Sequence, residues 1–159
     1  LFPSPEKSGL GCYAACIRVF TYGIFEDVSQ NQFLVMNTHF DHKGQTARKE
    51  SLKLINHFVE NISADLPVVL MGDFNFDPSS PLYKDLTSHL TDSFTPLKNA
   101  GSVSTFNGFK MLAEPDKRID YILFNKKAAL VDYLIDRPKT KNGLQLSDHF
   151  PVIVQIKLK

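Results

Sequence analysis

A mixed α/β fold in which strands outnumber helices is the architecture this sequence predicts, and two periodicities and one recurrence predict it. Between Thr46 and Ile62 the apolar residues Leu52, Ile55, Val59 and Ile62 recur at steps of three, four and three, which draws one apolar stripe along a helix. From Val152 to Leu158, the residues Val152, Val154, Ile156 and Leu158 alternate with Ile153, Gln155 and Lys157, the two-residue period of a strand with one apolar face. Around these segments, short β-branched and aromatic runs recur, each closed by turn chemistry. No internal repeat or low-complexity linker breaks the order, so one structural unit is expected.

The elements follow in order. Leu1 to Leu10 hold Pro3, Ser4, Pro5, Ser8 and Gly9 without periodicity, which predicts an irregular arm; we bound the arm at residues 1–13 and the ordered unit at 14–159. Ile17, Val19, Thr21, Tyr22 and Phe25 predict a strand over Ala15 to Phe25, and polar Asp27 to Gln32 separates it from apolar Phe33 to Met36, as in a hairpin. The helix over 46–62 comes next. Leu66 to Met71 is a short apolar run that stops at Gly72-Asp73, as expected of a strand buried on both faces. Ser80 before Pro81 offers an N-cap and a proline at the first helical position, predicting a second helix over Pro81 to Leu90. Val103 to Phe106, Ile119 to Phe124 and Ala129 to Ile135 are further strand candidates, with a turn at Asn125-Lys126-Lys127.

Composition bounds the function. With 43% hydrophobic and 22% charged residues in 159, the chain can bury a core. Eighteen basic against 17 acidic side chains leave a net charge of +1, so no global field advertises a nucleic acid or an anionic membrane, and any polyanion contact is local. No run long enough for a transmembrane helix exists, and no basic-then-apolar leader opens the chain, which leaves the compartment unknown. Cys12 and Cys16 are too few for a disulfide framework and lack a second ligand cluster for zinc, so they read as core or half-buried thiols.

Four polar clusters each fall at the end of a predicted strand: Asn37-Thr38-His39-Phe40-Asp41-His42, Gly72-Asp73-Phe74-Asn75, Arg118-Ile119-Asp120-Tyr121 and Ser147-Asp148-His149. Together they hold carboxylates, imidazoles and amide donors, a stock that can bind a hard divalent cation, deprotonate water and hydrogen-bond a phosphate. Each also has a plainer reading. His39 alone reads as a half-buried hydrogen-bonding histidine, Asp73 and Asn75 as turn caps, and Asp148-His149 as a turn into the last strand. Asp120 inside an apolar strand is different, because a buried carboxylate needs a partner, and a neighbouring strand-end imidazole such as His149 would satisfy it. His57 and His89 fall in helical patterns and read as surface residues, and Arg18 as a solvated strand arginine outside the site.

The ordered set Asn37-Thr38-His39, Gly72-Asp73-Phe74-Asn75, Arg118-Ile119-Asp120-Tyr121 and Ser147-Asp148-His149-Phe150-Pro151 resembles the endonuclease/exonuclease/phosphatase superfamily, metal-dependent phosphodiesterases and phosphomonoesterases of DNase I-like fold. Ala47-Arg48 with Ser51, and Thr105-Phe106-Asn107-Gly108-Phe109, resemble a bacterial branch in which the latter stretch usually reads Thr-Phe-His-Gly-Phe, so Asn107 departs from that pattern. The resemblance implies that His39 donates to a phosphate oxygen. It implies that Asp73 orients or deprotonates the attacking water with Asn75 at the same centre, that His149 stabilises the phosphoryl group, and that Asp120 pairs with His149. Asp148 would be the metal ligand, for Mg2+ or Mn2+.

By the same resemblance the fold is a four-layer α/β/β/α sandwich of two similar halves with mostly antiparallel or mixed sheets, and this chain matches the C-terminal half. A metal-binding Glu and an Asn of the first half have no counterpart upstream of Ala14. The expectations are a fragment nearly inactive alone, an N-terminal half or second chain covering the inner sheet face, and a phosphate-ester substrate of undetermined type: nucleic acid, inositol phosphate or phospholipid head group. The alternative is a non-catalytic half domain that binds a partner chain or a phosphate ligand.

Overall fold

The computed structural model describes residues 11–62, 65–94, 103–110 and 117–159, with only the backbone of Ile62. Of the predicted arm at 1–13, residues 1–10 lie outside the described residues. Strands β1 (Phe20–Glu26) and β2 (Gln32–His39) form the expected hairpin, α1 (Gln45–Ile62) follows, and β3 (Val68–Asp73) returns parallel to β2. Then come α2 (Pro81–Leu86), the two-residue β4 (Thr91–Asp92), β5 (Asp120–Phe124), β6 (Ala128–Ile135) and β7 (Val152–Leu158). The main sheet has the order β1-β2-β3-β5-β4, mixed in direction, and β6-β7 form a separate antiparallel pair.

The two periodicities explain how the layers stack. Leu34, Met36, Leu70 and Leu123 lie on one face of the main sheet at 0% exposure, sharing a core with Leu52, Ile55 and Val59 of α1 and Leu82 and Leu86 of α2. Each such aliphatic side chain withdrawn from water contributes about 2 kcal/mol. A cluster of Phe40, Phe74, Phe76 and Tyr121, ring against ring, continues this core past the strand ends. On the opposite face Val69 and Phe124 are buried while Phe33, Val35, Met71 and Ile122 stay partly exposed, so this face is only partly covered. Gly72 lies at φ 150° directly beside Thr38, where a Cβ would fall 1.9 Å from the Thr38 carbonyl oxygen. Only glycine lets β2 and β3 stay paired through the next step, His39 opposite Asp73.

Several boundaries differ from the sequence expectation, and side chains explain each. The first strand starts at Phe20 rather than Ala15, because the Ala15 and Cys16 N–H groups donate to the Asp41 carboxylate and not to a neighbouring strand. That geometry leaves Cys16 exposed, correcting the expected core or half-buried thiol, while Cys12 is half-buried, within that expectation. The second helix stops at Leu86 rather than Leu90, where the Thr87 and Ser88 hydroxyls donate to the carbonyls of Tyr83 and Asp85. Val103 to Phe106 is no strand: Ser104 donates its hydroxyl to the Phe106 carbonyl, and Phe106 makes a single bridge to His149. The third strand begins at Val68 and runs on through Asp73, so this carboxylate is the strand's last residue rather than part of a loop.

Candidate functional site

Strand register builds the centre. His39 ends β2 opposite Asp73, and Asp73 ends β3 opposite Asp120, the first residue of β5. One row across three adjacent strands therefore presents an imidazole and two carboxylates on the partly covered face. His149 reaches the row from the loop before β7. Its Nδ1 lies 2.9 Å from Asp120 Oδ2, and its Nε2 lies 3.8 Å from Asp73 Oδ2. His39 Nε2 approaches the same Asp73 oxygen at 3.1 Å. Asn75, in the left-handed region at φ 54°, donates its backbone N–H to Asp73 Oδ1 at 2.8 Å and its amide to the Phe40 carbonyl at 3.0 Å. Beneath the row a cleft of about 280 Å³ opens on the same sheet face, lined by Asn37, Met71, Ile122 and Val152.

The electrostatics follow from these contacts. Burial pushes the Asp73 carboxyl above its ordinary value, and the Asp120 carboxylate adds to this against the pull of the Asn75 N–H and the two imidazoles. His149 is raised by its bond to Asp120, which outweighs partial burial. Its Nδ1–H donates to Asp120, leaving Nε2 turned toward Asp73. His39 is lowered, chiefly by partial burial, with Arg18 and His149 adding to it against Asp73. The centre thus combines a carboxylate inclined to take a proton, one imidazole held toward its charged form and one held toward its neutral form. Asp73, Asp120 and His149 each offer a ligand atom within 4.8 Å of the others.

The sequence candidates divide clearly in space. His39, Asp73, Asn75, Asp120 and His149 converge. Asp148 adjoins His149, and its carboxylate takes a 3.4 Å contact from the Ser147 hydroxyl; it stands outside the Asp73-Asp120-His149 trio. His57 is exposed on α1, and His89 pairs with Glu60 at 2.9 Å on the surface. Arg118, although inside a site motif, is 3% exposed and bonded to buried Asp92 at 2.7 Å beneath the rings of Phe94 and Tyr121, so it supports the core.

Three residues were named in the sequence without the backbone-holding role that the structure gives them. Buried Asp41 accepts four backbone N–H groups, from Ala15, Cys16, Lys43 and Gly44, at 2.6–2.9 Å. Its ligand atoms approach Cys16 and His42 within 4.8 Å, but the occupied carboxylate and the Arg18 guanidinium at 3.3 Å from His42 Nδ1 do not suit a cation there. Thr105, fully buried, accepts the N–H groups of Ile119 and Asp120 on its hydroxyl and thereby fixes the start of β5. Asn107 bonds the Ser147 carbonyl at 2.9 Å. The Asn-Gly dipeptide at 107–108 signalled a turn, though not what the turn holds.

The sequence profile of the endonuclease/exonuclease/phosphatase family matches residues 5–149. The chain belongs to the endonuclease/exonuclease/phosphatase family. A solved structure of an endonuclease/exonuclease/phosphatase family protein from Bacteroides thetaiotaomicron superposes with a TM-score of 0.86 at 29% identity, over 98% of this chain and 61% of that one. A mannosyl-6-phosphatase from the same organism gives 0.82 at 30% identity, over 93% and 60%. A sphingomyelinase of Mycobacterium tuberculosis is 25% identical over 148 residues, 87% of this chain and 30% of its own length. The chain therefore spans about a third to three fifths of these relatives, and its mixed main sheet, antiparallel strand pair and helices have the DNase I-like α/β architecture of the family.

Proposed function

We propose that this chain carries the hydrolytic centre of a phosphate-ester hydrolase, in which Asp73 activates a water and the two histidines bind the phosphoryl group. The observation that carries the reading is the row His39, Asp73 and Asp120 closed by His149 around one carboxylate oxygen, Asp73 Oδ2. Asp73, held above its ordinary pKa, is suited to accept the water's proton, and Asn75 fixes its second oxygen. His39, half-exposed at the rim, donates to a nonbridging oxygen. His149, with its charged form favoured by Asp120, stabilises the phosphoryl charge.

A hard divalent cation, Mg2+ or Mn2+, fits the donor set in kind, since carboxylates border the centre and, among the described residues, the Asp148 carboxylate takes no backbone donor. Held by Asp148, it would neutralise charge on the phosphoryl oxygens. One carboxylate is a thin coordination shell, and the sheet face beside it leaves Phe33, Val35, Met71 and Ile122 partly uncovered. We therefore read the chain as working with a further segment, or a second chain, that covers this face and completes the ligands, and as turning over slowly alone. Phosphomonoesters and phosphodiesters both remain within the reading, since one relative is a mannosyl-6-phosphatase and another a sphingomyelinase.

The test is hydrolysis of bis-p-nitrophenyl phosphate and p-nitrophenyl phosphate with Mg2+ and with EDTA, by this chain and by the longest protein that contains it. Metal-dependent turnover that disappears in Asp73→Asn is the expected result. Turnover indifferent to EDTA and to Asp73→Asn overturns the reading, and binding of phosphate without turnover in the longest protein favours a non-catalytic binding domain.

A further inference from the structure

His149 occupies a loop, not a strand, yet its ring must lie within hydrogen-bond reach of Asp120 while facing Asp73. Nothing in the loop's own sequence enforces this. Within residues 147–149 the internal bonds are the 3.2 Å donation of the His149 N–H to the Ser147 hydroxyl and the loose Ser147–Asp148 contact. Every other described backbone bond of the loop runs to one segment, residues 105–108. The Asp148 carbonyl accepts the N–H groups of Asn107 at 2.8 Å and Gly108 at 3.1 Å, and the Phe150 N–H donates to the Thr105 carbonyl at 2.7 Å. The Asn107 amide donates to the Ser147 carbonyl at 2.9 Å.

Among the described residues of this seam, the Asn107 side chain uses both polar ends, one across the seam and one to hold its own turn. Its amide nitrogen holds Ser147, while its carbonyl oxygen accepts the Phe109 N–H at 2.8 Å and closes a turn in which Gly108 and Phe109 both lie at φ 59°. A bulky residue such as Phe109 keeps that backbone conformation only where its surroundings impose it. At 2% exposure Asn107 is sheltered from competing water, so neither bond is easily exchanged. The residue before it, Phe106, sets its ring edge-on to the His149 imidazole, with centroids 5.0 Å apart and planes at 71°. Lys117 Nζ lies 4.6 Å from the centroid of the same Phe106 ring.

We propose that Asn107 is a positioning residue for the hydrolytic centre: through Ser147 and Phe106 it sets the register of the 147–149 loop and so the orientation of the His149 ring. This rests on the hydrolytic reading only for its consequence in rate; the orientation of the ring is a property of the fold. Misplacing a catalytic group by about 1 Å is enough to cost on the order of 10²-fold, so a small slip of this loop is sufficient.

Two substitutions separate the clamp from the turn. Asn107→Asp keeps an acceptor for the Phe109 N–H but points a carboxylate at the Ser147 carbonyl. Asn107→Ser keeps a shorter acceptor for the turn and falls short of Ser147, and it replaces the aspartate variant if that one does not fold. In ¹⁵N-histidine-labelled protein, the downfield Nδ1–H resonance of His149 and the ring-current displacement by Phe106 are read by NMR at fixed pH, after thermal melting has established that each variant is folded. The expected result is loss of both signatures in a folded variant, with kcat reduced about tenfold or more and KM little changed in the metal-dependent assay. Unchanged signatures in a folded variant overturn the proposal, whatever happens to the rate. Lost signatures in a protein whose parent shows no turnover leave the positioning role standing and count against the hydrolytic reading instead.

Discussion

Asp41 and Asp73 lie just beyond and at the ends of neighbouring parallel strands, both are largely withdrawn from water, and their surroundings drive them in opposite directions. Asp41 meets four backbone N–H groups. Burial opposes its charge, but the donors from Gly44, Cys16, Lys43 and Ala15 outweigh burial and hold its carboxyl well below the usual carboxylate range. Asp73 meets one backbone N–H, a second carboxylate and two imidazoles, and is raised. The contrast teaches how to tell a carboxylate that holds structure from one suited to the proposed proton transfer. A backbone donor is fixed, permanently polar and unable to take a proton away, so it stabilises charge and ties chain segments together. A neighbouring carboxylate and titratable imidazoles leave the charge incompletely compensated, which costs stability and makes proton transfer accessible.

The largest effect should come from Asp73→Asn. The amide keeps the shape and a partner for the Asn75 N–H but accepts no proton, so turnover should fall about 10³-fold in any preparation with metal-dependent activity. The melting temperature, measured with EDTA, should not fall and should rise slightly, because a carboxylate repelled by Asp120 has been removed. A large loss of melting temperature would put Asp73 in the same structural class as Asp41 and dissolve the comparison.

Asp41→Asn should behave in the opposite way. An amide nitrogen would face N–H groups, and the bonds that tie residues 15–16 and 43–44 to the end of β2 would weaken. We expect about 3 kcal/mol of lost stability by denaturant titration, with the rate of the remaining folded protein changed far less than in Asp73→Asn. A stability within error of the parent would mean that the four short bonds contribute nothing net.

Asp120→Ala lies between the two. It removes the partner that orients His149 and an accepting group at the first residue of β5, so both quantities should move: about tenfold in rate and about 1–2 kcal/mol in stability. A rate loss with an unchanged melting point would show that Asp120, itself part-exposed, acts only through the imidazole.

Much of this contrast was legible in the sequence on the Asp73 side and almost none on the Asp41 side. Leu66 to Met71 ending at Gly72-Asp73 announces a carboxylate at a strand end, and Asp120 reads as a carboxylate inside an apolar strand, which the structure places at the first residue of β5 opposite Asp73. The helix over 46–62 and the last strand were legible because each has a strong period, and the first hairpin because polar Asp27 to Gln32 separates two apolar, β-prone runs. What periodicity does not carry is where a side chain replaces a strand ladder. Asp41 drawing residues 15–16 out of β1, Thr105 capping the start of β5 and Asn107 clamping a loop some 40 positions away are all long-range bonds from polar side chains to backbone. No local pattern encodes them. The pairing of Asp120 with His149 was foreseeable for a different reason: a carboxylate in an apolar strand must find a partner.

The smallest and most discriminating effect is the response of stability to pH. For Asp41 the folded carboxyl titrates below the unfolded one, so its contribution is complete above the ordinary carboxylate range, about 4, and drains away as pH falls below it. The deficit of Asp41→Asn relative to the parent should therefore shrink as pH is lowered from 6 to 3. For Asp73 the folded carboxyl titrates above the unfolded one, so its charge lowers stability at neutral pH, and that cost disappears as pH falls through the raised value and is gone once the unfolded carboxyl is protonated too. The small gain of Asp73→Asn should then also shrink toward zero over the same range. Two differences of opposite sign, measured by thermal melting with EDTA, converging on the parent at acid pH would be the signature of one carboxylate that holds the fold and one that the fold holds against its preference. Curves that run parallel to the parent for both variants would mean that neither environment differs from water in the way the geometry requires.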